Sequence, residues 1–426
     1  MPETSSQAER VLGGNMTFID YTCETAAVDS ATDPDGARPS DLPYWTAVRD
    51  AKKNGKKLIF TNGPVPGELL YALDCVPLCL DLIPARIARD ENLMAKLIND
   101  AEIKGNGDLC SLNKTVTGVL LSGNLGVTPD AYVSMPIPCD SARAACTGIA
   151  RFIDAPFLHF DIPLRVDPKN VRYIGPQIER LIAFLEGITG SKLDWEKVKQ
   201  RMALYNRSAR MLEACTELRA KTPCPLSSHL AVWNELMNAF GPTTEMGTLL
   251  EKELALCTAR IDAGFSPCGQ GEKHRVLLLH NLVWQTFELT ERLERDYGAV
   301  TVLDGFCLGA REHFTAPDDR SACLALMSRR MNAGAMAHGS GVSGDDILKA
   351  LEKLLPDYKP DVIIFLGSRG CRHNWAAMKM LADTLQKDYG YPMLQLDIDN
   401  TFSRYKSLRD IGDAISDYMD TVIRGK

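Results

Sequence analysis

No two of the thirteen cysteines in this 426-residue chain form a C-x-x-C pair. That excludes a zinc ribbon, a thioredoxin-type redox motif and a ferredoxin run, which all need two thiols on one short turn. A G-x-x-x-x-G-K-S/T phosphate loop is also missing. The nearest stretch, GITGSK at Gly187–Lys192, has the wrong spacing and reads as a link between helices, so ATP chemistry is expected to belong to a partner. No apolar run approaches the roughly 20 residues of a membrane helix. The start MPETSSQAER lacks the basic and apolar regions of a signal peptide, which leads to the expectation of a cytoplasmic protein with no membrane contact. No lysine–arginine cluster offsets the net charge of −7, which argues against a nucleic-acid surface. An odd number of cysteines in a cytoplasmic chain points to reduced thiols, some of them metal-bound, rather than to a disulfide framework.

What the chain does have is two stretches where short apolar runs alternate with turns and helical periodicity. In the first, strands are expected at Lys57–Thr61, Ala131–Ile137 and Phe157–Ile162, with a Gly/Pro turn, NGPVPG, leading into a helix that opens at Glu68. In the second they are expected at Arg275–Leu279, Ala299–Leu303, Asp361–Leu366 and Met393–Asp397. Such alternation requires right-handed crossovers and hence mostly parallel sheets. Between the two stretches Trp195, Val198, Met202, Tyr205, Ala209 and Leu212 recur at three- and four-residue steps, the buried stripe of a helical scaffold. Asp194 is placed to cap that helix, and Leu193 with Val198 to staple its entry. Length and an apolar content of 45% imply more than one core. The expected parts are a helical amino-terminal segment (1–55), a first α/β domain (56–174), a helical region (175–265) and a second α/β domain (266–426). Both sheets should present their carboxyl ends to a shared cleft.

Three cysteines fall at informative places. Cys139 and Cys371 each follow an apolar run and a short loop, and each precedes a helical pattern, DSARAACTGIARF and RHNWAAMKMLADTL; Cys110 lies in GDLCSLNKTVTG. A thiol beside helix amino termini meets partial positive charge, which favours the thiolate that binds metal. Cys139 and Cys371 are expected to approach from opposite walls, and three thiolates converging on one site suggest an iron–sulfur cluster. Cysteine is also a small hydrophobe that fills cores. That is the reading for Cys75 and Cys79 (CVPLC), assigned to an apolar helix, and for Cys307, in a loop after the strand around Val302; Cys215 lies in the helical scaffold.

The segments GPVPGELLYALDCVPLCLDLIPAR, GDLCSLNKTVTG, IPCDSARAAC, YIGPQIERLIAFLEGITGSKLDWEKV and VIIFLGSRGCRHNWAAMKMLADTL, in this order, resemble the 2-hydroxyacyl-CoA dehydratase and benzoyl-CoA reductase family over most of the chain after Asp41. The resemblance implies two flavodoxin-like domains with a helical part, in a heterodimer of related larger and smaller subunits. It implies a 4Fe-4S cluster on Cys110, Cys139 and Cys371, with one iron open to the thioester carbonyl of an (R)-2-hydroxyacyl-CoA. One electron from the cluster would give a ketyl radical that expels the α-hydroxyl and acidifies the β-hydrogen, so that water leaves and a 2-enoyl-CoA forms, as in a lactoyl-CoA dehydratase. That electron would come from a separate ATP-hydrolysing iron–sulfur activator. Length and the polar start make the chain more like the larger, alpha subunit.

Glu68 matches the glutamate after the family's Gly/Pro turn. As a candidate catalytic residue it would relay a proton to the leaving hydroxyl, while a glutamate at a helix start also complements the helix dipole. Thr61 and Asn62 flank the same turn as candidate hydrogen-bond donors, and His373 is the histidine nearest the expected site. Arg143 and Arg372 are candidates for CoA phosphates or for the anionic cluster, and equally for ordinary salt bridges. Two alternatives stand beside the dehydratase: an ATP-dependent reductase of the benzoyl-CoA or double-cubane type, and a two-lobed paralogue without cluster or catalysis.

Overall fold

The computed structural model of the chain describes residues 3–31, 41–63, 65–137, 139–163, 167–228, 241, 243–269, 271–279, 288–308, 311–333 and 343–423. Its framework is two four-stranded, all-parallel sheets. The first contains β1 (Lys57–Asn62), β2 (Cys75–Cys79), β3 (Ala131–Ser134) and β4 (Phe157–His159) in the order β2-β1-β3-β4. The second repeats that order with β5 (His274–Leu279), β6 (Ala299–Asp304), β7 (Val362–Ser368) and β8 (Met393–Ile398), as β6-β5-β7-β8. Each is a flavodoxin-like doubly wound sheet, and its strand order reverses between the first and third strands, where a crevice opens at the carboxyl ends. Among the described residues no helix is long and apolar enough to cross a membrane.

Strand alternation explains the layers. Leu58 and Phe60 of β1 enter one core with Tyr132, while Ile59 enters the opposite core with Val133. In the second sheet Val276 and Leu278 face one core, Leu277 and Leu279 the other. A central parallel strand is therefore apolar on both faces and reads as a continuous run, as VIIFL does. One face of the first sheet is covered by helices Phe18–Ala31, Leu42–Asp50, Glu91–Ile103, Ser111–Leu121 and Asp140–Ile149. The other is covered by Pro168–Thr189, Trp195–Leu218 and Arg320–Ala333, the last returning from the far end of the chain.

The long scaffold helix starts where its cap signals place it. The Asp194 carboxylate accepts the Glu196 amide at 2.9 Å, and Val198, Met202, Tyr205, Ala209 and Leu212 are buried along one side. GITGSK links two helices: the first ends at Thr189, with Gly190 at φ 70° where a side chain would be strained. A segment after β6 is laced to the scaffold helix. His313 Nε2 meets Glu213 at 2.9 Å, Asn206 clamps the Phe314 backbone through both its amide nitrogen and its oxygen (2.8 and 2.9 Å), and Trp195 Nε1 donates to Pro317 O at 3.1 Å. This lacing carries helix Arg320–Ala333 back to the first sheet.

Cys75 and Cys79, expected in an apolar helix, instead begin and end β2. The proline in CVPLC weakened the strand signal, yet Pro77 is tolerated because β2 is an edge strand and its missing N–H can face away from the ladder. Two other strands are shorter than their apolar runs: β3 stops at Ser134 before Pro136, and β4 stops at His159. Cys307 falls in the single turn Gly305–Leu308, and its side chain lies outside the described residues, as does Pro138.

Helices Glu91–Ile103 and Ser111–Leu121 approach so closely that a Cβ at Gly118 would sit 2.2 Å from the Leu97 carbonyl oxygen. That oxygen is backbone and cannot rotate away. Gly118→Ala should therefore spread the two helices and lower unfolding free energy by about 1–3 kcal/mol, the usual range for overpacking. Denaturant titration would read this as a lower midpoint, and an unchanged midpoint would show that the helix pair separates freely.

Candidate functional site

Each of the three singled-out cysteines is the residue immediately before a helix. Cys110 caps Ser111–Leu121, Cys139 caps Asp140–Ile149 and Cys371 caps Arg372–Tyr389. Cys139 follows β3 and Cys371 follows β7, so they hold equivalent positions beside the switch points of the two sheets. Three helix amino termini, each carrying partial positive charge and unsatisfied N–H groups, thus present a thiol.

The structure brings these three caps together. Gly370, one residue before Cys371, packs on Cys110 so tightly that a Cβ there would stand 2.5 Å from the Cys110 Cα. The Cys110 amide donates to Ser141 Oγ at 3.0 Å, two residues past Cys139. Arg372 Nη1 meets Asp140 Oδ2 at 3.1 Å, and Ser111 Oγ donates to Asp399 at the end of β8. The Cys110–Ser141 bond joins two helices of the first lobe, and the other three contacts cross from that lobe to the second.

Burial dominates the electrostatics. It pushes Cys110 up to about 11, with the nearby Cys371 adding and the Asn113 amide and Ser141 hydroxyl opposing. Cys139 is pushed up to about 12, again mainly by burial and then by Cys110, against the Ala142 amide that reaches its sulfur at 3.4 Å. Cys371 is raised by burial and held down by the backbone and side-chain amides of Asn374. Cys110 thus feels Cys371, and Cys139 feels both of the others. Without a cation the sulfurs keep their protons at neutral pH; a cation would displace them. Among the described residues no three His, Cys, Asp or Glu side chains close on a point as they would around one metal ion.

The remaining candidates lie as follows. Glu68 is 1% exposed, and its Oε1 accepts from Arg330 Nη1 at 2.6 Å while Oε2 has no hydrogen-bond partner among the described residues. Arg330 belongs to the returning helix and lies over the Tyr205 ring, 3.5 Å from its centroid. Thr61 Oγ1 reaches the Leu78 carbonyl at 3.5 Å, and Asn62 is held by Asp81 and the Tyr132 hydroxyl. His373 Nδ1 is 4.0 Å from Asp140 and is buried without a hydrogen-bond partner. Arg143 is tied to Asp161 and the Ile162 carbonyl, and Arg372 to Asp140 and the Asp108 carbonyl, so both form ordinary polar contacts. Cys75 and Cys79 are buried in β2, each pushed up chiefly by burial, Cys75 to about 12.

Four residues around the cysteines escaped sequence reasoning: Asn113, Ser141, Asn374 and Asp399. Asn113 Nδ2 donates to Cys110 Sγ at 3.2 Å and to Ser141 Oγ at 2.9 Å. A signal was available for the two asparagines, since Cys-x-x-Asn occurs at both Cys110 and Cys371. None existed for Ser141 or Asp399, whose partners are distant in the chain. Because Ser141 Oγ satisfies two buried donors, Ser141→Ala should lower unfolding free energy by about 1–3 kcal/mol. Equilibrium unfolding would check this, and an effect within error would show that another acceptor takes over.

Comparison with known proteins places the chain in a family. A family model described as 2-hydroxyglutaryl-CoA dehydratase, D-component, matches residues 64–410, a span that includes Glu68 and all three cysteines. The chain is similar to the alpha subunit of (R)-2-hydroxyisocaproyl-CoA dehydratase from Clostridioides difficile, 26% identical over 245 residues, which cover 54% of this chain and 58% of that one. It is 30% identical over 166 residues to subunit alpha of (R)-2-hydroxyglutaryl-CoA dehydratase from Acidaminococcus fermentans, covering 34% and 33% of the two chains. Against the (R)-phenyllactyl-CoA dehydratase alpha subunit of Clostridium sporogenes the identity is 25% over 200 residues, covering 43% and 48%. The aligned part thus spans between a third and somewhat over half of these relatives. With more than half of its length matched by the family model, the chain belongs to the 2-hydroxyglutaryl-CoA dehydratase D-component family.

Proposed function

We propose that the chain is the alpha-type subunit of a 2-hydroxyacyl-CoA dehydratase, that Cys110, Cys139 and Cys371 hold a 4Fe-4S cluster, and that water is removed from an (R)-2-hydroxyacyl-CoA to give a 2-enoyl-CoA. The observation that carries this reading is the meeting of three cysteine caps from two lobes, each with amide donors at its sulfur. The chemistry of the donor set fits such a cluster, since cysteine thiolates are its usual protein ligands and N–H groups reach the sulfurs of Cys110 and Cys139. Three cysteines for four irons also leave one iron without a protein ligand. When bound, such a cluster supplies an electron at low potential and a Lewis-acidic iron for the thioester carbonyl.

This chain's own residues prepare the site. Helix termini and buried amides favour the thiolates, and the Arg372–Asp140 pair ties the Cys371 helix to the Cys139 helix. Arg330 holds one oxygen of Glu68, leaving Oε2 as the atom that exchanges a proton with the leaving hydroxyl. The reading includes a related smaller subunit and a separate ATP-hydrolysing iron–sulfur activator, because the sequence carries no phosphate loop to couple ATP to electron delivery.

Anaerobic reconstitution tests the ligands. Cys110→Ser, Cys139→Ser and Cys371→Ser should each lose iron and visible absorption, whereas Cys215→Ser, in the scaffold helix, should keep both; full iron in all three would sink the assignment.

Activity tests the reaction. The chain alone should be inactive, and with the second subunit, activator, ATP and reductant it should convert many acyl-CoA molecules per electron. Glu68→Gln should lower kcat by about 100-fold with iron content intact, in the usual range for losing a general acid or base. A fixed number of electrons per product would instead identify a reductase, and turnover by the isolated chain without ATP would defeat the proposal.

A further inference from the structure

Two of the three thiols share a local device, one in each lobe. In Cys110-Ser-Leu-Asn113 and Cys371-Arg-His-Asn374 the cysteine is the helix cap and the asparagine the third helical residue. Both asparagines are buried, 5% and 2% exposed. Asn113 Nδ2 is fixed between Cys110 Sγ (3.2 Å) and Ser141 Oγ (2.9 Å), and Ser141 Oγ is itself held by the Cys110 amide at 3.0 Å. At Cys371 the backbone and side-chain amides of Asn374, two residues into the helix beyond the first, hold the thiol down against burial. The third cap differs. At Cys139 the equivalent residue is Ala142, and its backbone N–H reaches the sulfur at 3.4 Å.

An asparagine at this position is not needed to cap a helix, since a backbone amide alone satisfies the cap at Cys139. What the Asn113 side chain adds, and Asn374 repeats by its position, is a second N–H dipole at a half-buried sulfur. We propose that Asn113 and Asn374 are positioning residues that hold amide donors on two of the three cluster sulfurs and so raise the one-electron reduction potential of the cluster. The inference rests on the cluster reading above. Reduction breaks no bond: the cluster takes one electron from a low-potential one-electron donor and gains one negative charge, shared with its cysteine sulfurs. A donor N–H stabilises that more negative state, more strongly where water is excluded. Cys139, with backbone help only, is the least compensated corner.

The test uses the full chain reconstituted anaerobically with iron and sulfide, titrated against reduced viologen dyes and followed by electron paramagnetic resonance. Asn113→Leu and Asn374→Leu should keep wild-type iron content but reduce less readily. At a fixed poise the ratio of reduced to oxidised cluster should fall about tenfold for each, equivalent to about 59 mV for a one-electron couple. Asn113→Asp, which preserves shape but replaces the donor with an acceptor, should fall further, and Asn113→Gln should recover part of the loss. Full iron with an unchanged midpoint in the leucine and aspartate variants would overturn the inference, as would loss of iron in every variant, which would make the asparagines structural. A wild-type chain that takes up no iron would instead defeat the cluster reading itself, an outcome distinct from variants that titrate like wild type.

Discussion

The close approach of Gly370 to Cys110 is the constraint on which the site depends. A glycine is needed there because a side chain would collide with backbone, which cannot move aside. That contact sets the second sheet's Cys371 loop directly on the first lobe's Cys110 helix. Beside it Arg372 reaches Asp140 and Ser111 reaches Asp399, while Ser141 accepts the Cys110 amide within the first lobe. The seam between two separately wound sheets becomes one polar region, buried at Ser111, Asn113 and Ser141 and open to solvent at Asp140 and Arg372. Burial there raises all three thiols, an unfavourable setting for free thiolates and a favourable one for a cation that replaces their protons.

The same linkage appears on the opposite face of the first sheet. The chain leaves β6, is laced along the scaffold helix and returns as helix Arg320–Ala333, delivering Arg330 to Glu68. A carboxylate at 1% exposure is costly to bury without a partner, and this one receives a guanidinium that is itself stacked on Tyr205. Glu68 therefore lies in the first lobe but is paired by a residue about 260 positions later. Its two oxygens are unlike: one is held, and the other has no partner among the described residues.

Much of the fold was legible because central parallel strands buried on both faces leave apolar runs, as LIF in β1 and VIIFL in β7 do, and seven of the eight strands were expected from the sequence. The exception, β2, shows the limit. CVPLC contains a proline and two cysteines, and only its edge position makes the proline acceptable, a fact that exists once β1 is beside it. Strand ends were similarly misjudged: the apolar runs continue past Ser134 and His159 although the ladders stop there.

The sequence by itself determined two parallel α/β units, a capped scaffold helix and three cysteines each placed before a helix, since these follow from local periodicity and from the chemistry of single residues. The family's segments were legible too, as ordered motifs. Only the tertiary structure decided which groups meet. Cys-x-x-Asn is local and was open to inspection, but its meaning depends on Asn113 being pinned by Ser141, 28 residues away, and on Asp399 lying against Ser111. Hydrogen bonds of a few ångströms between residues far apart in the chain leave no periodic trace, because what selects them is the packing of whole sheets rather than the spacing of neighbours.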